Sequence, residues 1–119
     1  MKGRSPSAEQ KRFHDLLARE IGCVACRTEG ILSTYVSIHH CDGRTKPHAH
    51  WFVLPLCGPH HQDQGIAGVV AIHPHKTRFQ ERYGTQKTLL AWCIEILQDR
   101  GFVVPDGALC AAGMLGAPA

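Results

Sequence analysis

Two ligand pairs constrain this chain more than any other feature: Cys23-x2-Cys26 and Cys57-x2-His60. A two-residue gap lets a tight turn aim two soft donors at one ion, and two such pairs complete a tetrahedron. A zinc site closed by four protein ligands has no open position, so it staples a fold and performs no chemistry. Buried free thiols are the plain alternative, since cysteine is common in cores. A thiol redox pair at Cys23 and Cys26 is a further alternative. Two paired motifs in one short chain favour metal over both. A chain of 119 residues has a modest core, and a bound metal is one of the usual reinforcements at that size.

The histidines extend the argument. Eight of the nine lie between His39 and His75. His39 and His40 are adjacent near a strand end, so their side chains point to opposite sides. His61 follows His60 at a helix start, which turns it by about 100° away from the first site. His39, His61 and His73 together would make a second, open centre of three imidazoles, the pattern of a catalytic metal. His40, with an intrinsic pKa near neutrality, suits a general base, and His50 could orient it from the facing strand. His14, His48 and His75 read as ordinary surface or core residues.

Periodicity supplies the frame. Ser7 and Gln10 have capping-box spacing and open a helix over 8–20, with Phe13, Leu16, Leu17 and Ile21 on its inner side. Gly22 ends it, and Cys23 to Cys26 follow as a tight turn. Alternation at Thr34, Val36 and Ile38 marks a strand over 33–40. Residues 41–48 read as loop, 50–54 as a second strand, and Gly58-Pro59 as the lead into a short helix carrying His60 and His61. Residues 66–72 fit either a strand or a packed loop. Pro74 suits a helix start, with Phe79 and Tyr83 four apart. Thr85 caps a longer helix to Arg100, with Leu89, Cys93, Ile96 and Leu97 inward. These signals predict an α+β fold in one domain over 1–104, with a ββ-helix core at 33–66 and later helices over 75–100. The Gly/Ala/Pro-rich stretch 105–119 is expected to fray.

The net charge of +3 permits a nucleic-acid partner without demanding one. Arg44, Lys46, Lys76, Arg78, Arg82 and Lys87 are candidate phosphate contacts, which set affinity without reading sequence. No base-reading helix is visible, so little sequence specificity is expected. Trp51 and Trp92 read as core residues, not stacking platforms. No apolar run reaches membrane-spanning length, and no secretory segment is evident at the start. A reducing cytoplasm is the expected compartment.

The run Ile38-His39-His40-Cys41-Asp42-Gly43, followed by Val53-Leu54-Pro55-Leu56-Cys57-Gly58-Pro59-His60-His61, resembles the core of HNH (ββα-metal, His-Me finger) nucleases. The run Ile72-His73-Pro74-x-Lys76-x2-Phe79-x3-Tyr83-Gly84-Thr85, with Gly22-Cys23-x2-Cys26, is similar to the narrower phage Ref family of recombination-enhancing, RecA-dependent HNH nucleases. The resemblance covers residues 20–90. It implies DNA as substrate and a RecA filament as partner. It also implies His40 as general base, His50 at the middle HNH position, and His39, His61 and His73 as ligands of a catalytic divalent ion. Cys23, Cys26, Cys57 and His60 would be the structural zinc set. Many HNH enzymes carry a carboxylate or asparagine where His39 and His50 stand. The expected catalytic ion, Mg²⁺, Mn²⁺ or Zn²⁺, is thereby shifted towards transition metals. A non-catalytic zinc-ribbon module that binds DNA or protein is the competing reading.

Overall fold

Ser7 opens the first helix as the residue types around it demand. Its hydroxyl accepts the Gln10 backbone N–H (3.1 Å), and the Gln10 side chain returns to the Ser7 N–H (2.7 Å). In the computed structural model, which describes residues 3–115, this capping box opens α1 (Ala8–Leu16). The helix then widens into a π-helical segment, Leu17–Ile21, closed by the Gly22 N–H on the Leu17 carbonyl (3.2 Å). The wider turn keeps Phe13, Leu17 and Ile21, each four apart, facing the core, and all three are buried. Gly22 has φ 69°, and a Cβ there would press into the Ser33 carbonyl, so only glycine turns the chain tightly enough. The expected tight turn at Cys23 is the N-cap of a short helix, α2 (Val24–Thr28), with Cys23 Sγ accepting the Cys26 N–H.

Strands β1 (Val36–His40) and β2 (Val53–Cys57) form an antiparallel pair, with His39 opposite Leu54 and His40 opposite Val53. The second strand lies later than the 50–54 expected from the sequence. Pro55 reads as a breaker, yet a two-stranded sheet consists only of edges, where a missing N–H is tolerated. His50 therefore belongs to the turns over 47–51, where the Trp51 and Phe52 N–H groups both reach the His48 carbonyl. Every residue of β2 is buried, so its run Val-Leu-Pro-Leu-Cys shows no alternation. Helix α3 (Gly58–His61) follows directly.

Residues 66–72 form a packed loop, with Val70, Ala71 and Ile72 buried. The loop returns alongside α3: Ile72 N–H bonds the His60 carbonyl, and His73 N–H the His61 carbonyl. Helix α4 (Lys76–Tyr83) begins two residues after Pro74 and stops at Gly84; Thr85 caps α5 (Gln86–Asp99) through the Thr88 N–H. The inner face of α5 is Leu89, Leu90, Cys93, Ile94 and Leu97, whereas Ile96 is only partly buried.

The stretch expected to fray does not do so over its described part. Residues Asp106–Ala111 form α6, and Ala108 and Ala112 are buried. Small residues here permit close docking: Gly107 lies against the Trp51 indole with no room for a Cβ. Residues 116–119 lie outside the described part of the chain, as do 1 and 2. No helix among the described residues is long and apolar enough to cross a membrane.

Candidate metal centres

The end of β2, the first turn of α3 and the start of α2 converge on four buried donors: Cys23, Cys26, Cys57 and His60. A tetrahedral zinc with metal–sulfur bonds of about 2.3 Å and metal–nitrogen bonds of about 2.0 Å has edges of roughly 3.8 Å (S···S) and 3.5 Å (S···N). Cys26 Sγ lies 3.8 Å from Cys57 Sγ. His60 Nδ1 lies 3.1, 3.4 and 3.6 Å from the sulfurs of Cys57, Cys26 and Cys23. These are the edges of one coordination tetrahedron, so the donor set fits a four-coordinate ion. Without an ion, burial pushes the Cys23 and Cys26 thiols up, so an ion is what would make them thiolates. The far nitrogen of His60 is also committed. Its Nε2–H donates to Tyr83 Oη (3.0 Å), which accepts the Val70 N–H as well (3.3 Å). Tyr83 thereby orients the imidazole from behind, as outer-shell partners of metal ligands do.

On the opposite side of α3, His39, His61 and His73 form a second group whose donor atoms all lie within 4.8 Å of one another. Their ring centroids are 5.1, 5.1 and 5.4 Å apart. His39 arrives on β1, His61 on α3, and His73 through the loop hydrogen bonds that bind its backbone to α3. The group ranges from buried (His39) to exposed (His73) and borders a cavity of about 610 Å³ that His40, Arg44 and Lys76 also line. Burial holds His39 down to about 4, helped by the neighbouring histidines and Lys76 and opposed by the hydrogen bond His39 donates to the Gln86 amide oxygen. His61 is lowered by burial and by His73. Neutral imidazoles are the form that binds a metal ion. This cluster could hold one and, with three protein donors, would leave positions open.

His40 does not join that cluster. Its Nε2 lies 2.9 Å from His50 Nδ1, and His50 Nε2 in turn bonds the Arg4 carbonyl. A carbonyl only accepts, so His50 carries a proton on Nε2; with a single proton on that ring, its Nδ1 presents a lone pair. His40 must then donate from Nε2–H, which leaves the lone pair on its Nδ1. Burial, then Arg44 and the nearby His50 and His14, hold His40 down to about 4, so it is neutral at pH 7. His14, set aside in the sequence as unremarkable, donates to the His50 carbonyl (2.7 Å) and packs 6.0 Å from the His40 ring. Residues 3–4 are stitched to the next loop through the Arg4 N–H on the Arg44 carbonyl (2.8 Å) and Arg4 Nε–H on the Thr45 carbonyl (2.8 Å).

All seven residues expected to bind metal fall into the two groups expected of them, and His50 meets His40 although it comes from a turn and not a strand. The cationic residues divide. Arg44 and Lys76 border the cavity, Lys46 is paired with Asp42, and Arg82 is tied to Glu29 (2.6 Å). Trp51 and Trp92 are partly buried against the core. Gln86 and His14 escaped sequence reasoning, and Tyr83 entered it only as a helix-face and motif residue, without its role behind His60. A glutamine after a helix cap and an aromatic at i,i+4 carry no local mark of what they touch. His14 alone had a signal, a polar residue flanked by the buried positions Phe13 and Leu17.

A two-stranded sheet with surrounding helices, a closed sulfur-rich donor set and an open imidazole set define a small α+β protein with two groups able to bind metal. The model of the recombination enhancement, RecA-dependent nuclease family matches residues 6–98, so both donor groups and the His40–His50 pair lie within the match. The chain belongs to that family, which is named for a nuclease role in recombination.

Proposed function

We propose that this chain is a metal-dependent DNA endonuclease of the HNH (ββα-metal) class that nicks DNA under the direction of a RecA filament, in a phage-infected or bacterial cytoplasm. One observation carries the reading. A neutral histidine with an oriented lone pair, His40, borders the same cavity as the three-imidazole cluster. The order β1, β2, α3 and the position of the cluster between β1 and α3 support the class.

His40 takes the proton of the attacking water on Nδ1. As it becomes imidazolium, its Nε2–H bond to His50 gains charge, and His50 and the Arg4 carbonyl stabilise it in line. His39, His61 and His73 would hold the catalytic ion. A divalent ion there supplies positive charge for the developing oxyanion of the leaving group. Arg44 and Lys76 flank the cavity and hold backbone phosphates, which binds DNA without reading sequence. Cys23, Cys26, Cys57 and His60 would hold a structural zinc, which would tie α3 to α2 and β2. A zinc-ribbon binding module would need only that closed site; the His40–His50–Arg4 chain has no use in it.

Supercoiled plasmid incubated with the protein and Mg²⁺, Mn²⁺, Co²⁺ or Ni²⁺, with and without RecA filaments, tests the proposal. Wild type should nick with at least one ion, and His40→Ala should lose about 10²-fold or more while keeping both metals. Absence of metal-dependent nicking in every arm, or full activity in H40A, rejects it.

A further inference from the structure

Gln86 is a buried polar side chain that the hydrolytic scheme does not use. It is the first residue of α5, 5% exposed, and its amide oxygen lies 2.8 Å from His39 Nε2. Its backbone is held independently of that contact: Thr85 caps the helix, and the Gln80 side-chain oxygen accepts the Gln86 N–H (3.4 Å). Among the described residues every buried side-chain nitrogen and oxygen has a partner. The amide is therefore presented to His39 by a rigid element.

We infer that Gln86 is the positioning residue of the imidazole cluster: it holds His39 as the Nε2–H tautomer and so assigns Nδ1 as the donor atom that faces His61 and His73. This rests on the reading of His39, His61 and His73 as a metal centre. An amide oxygen accepts and cannot donate, so His39 Nε2 must carry the proton and Nδ1 the lone pair. Binding an ion through Nε2 instead would leave the Gln86 oxygen buried without a donor, an arrangement folded proteins avoid. The other cluster member on a rigid element is treated in mirror image. The Ser37 hydroxyl lies 3.2 Å from His61 Nδ1, which leaves Nε2 of that ring for the cluster. Two rings thus enter with opposite nitrogens, the far nitrogen of each engaged by a neutral hydrogen-bonding group. Gln86 does so without adding negative charge, so a bound divalent ion keeps its full charge for an anionic substrate.

The test reads tautomer and metal affinity, with no dependence on cleavage. In metal-free protein, long-range ¹H–¹⁵N correlation spectra of the imidazoles should show His39 as Nε2–H in wild type. In Gln86→Leu the Nδ1–H form should appear. Co²⁺ affinity at the second site, measured by calorimetry on protein retaining its knuckle zinc, should weaken 10- to 100-fold in Q86L. Gln86→Glu, which keeps the acceptor, should bind Co²⁺ at least as tightly as wild type, and this arm decides the matter if Q86L fails to fold. Wild-type affinity with an unchanged tautomer in Q86L overturns the inference, and so does a Q86E affinity weakened tenfold. His39→Ala separates the two levels. Loss of second-site Co²⁺ binding there upholds the centre whatever Q86L does, and unchanged binding removes the centre and this inference together.

Discussion

Removing the ion from the Cys23, Cys26, Cys57 and His60 site should unfold most of the domain. The four donors are at most 8% exposed, and they join α2, β2 and α3 at the point where these elements pack into the shared core. Closed zinc sites of this type contribute an apparent 10–16 kcal/mol or so at neutral pH. The whole stability of a domain is about 5–15 kcal/mol. The metal term therefore matches or exceeds the total, and the metal-free chain should not hold its native core at 37 °C. The effect can be titrated. Free zinc at about 1,000 times the dissociation constant adds roughly 4 kcal/mol. For a chain of this length 1 kcal/mol moves Tm by about 3–5 °C, so Tm should climb by some 12–20 °C across a zinc-buffered series. Circular dichroism melts in metal buffers, with native mass spectrometry to count the ion, provide the assay. A demonstrably zinc-free sample that melts cooperatively at the holo temperature, insensitive to added zinc, would refute the reasoning.

Three further outcomes follow from particular contacts. Tyr83→Phe removes the acceptor of the His60 and Val70 N–H groups; it should cost about 1–3 kcal/mol and weaken zinc 10- to 100-fold, read by thermal melts and chelator competition. Gly107→Ala drives a methyl into the Trp51 indole and should cost about 1–3 kcal/mol, whereas a detached tail would leave Tm unchanged. Gly3→Val cannot pack against Arg44 and should lift the Arg4 carbonyl from His50; nicking should slow by about five- to tenfold, the worth of one hydrogen bond, with Tm within a degree or two of wild type.

The donor sets were legible in the chain because metal chemistry restricts both residue type and spacing. Cys23-x2-Cys26 and Cys57-x2-His60 admit few other uses, and His61, one step past His60, has to face elsewhere on a helix. The α1 cap and the Thr85 cap were equally readable, since a cap is settled within four residues. Position in space was another matter. The strand containing Pro55, the docking of α6 through Gly107, and the π-helical widening before Gly22 all depend on what packs alongside, which local pattern does not encode. The same holds for the site. His39, His40, His50 and His61 could be named from residue type, but the partners that engage their ring nitrogens, Gln86, the Arg4 carbonyl and Ser37 among them, are brought in from distant elements. Spacing along the chain selects the donor residues, because a turn has fixed reach; the tautomers belong to the tertiary structure, because a hydrogen-bond partner can come from anywhere.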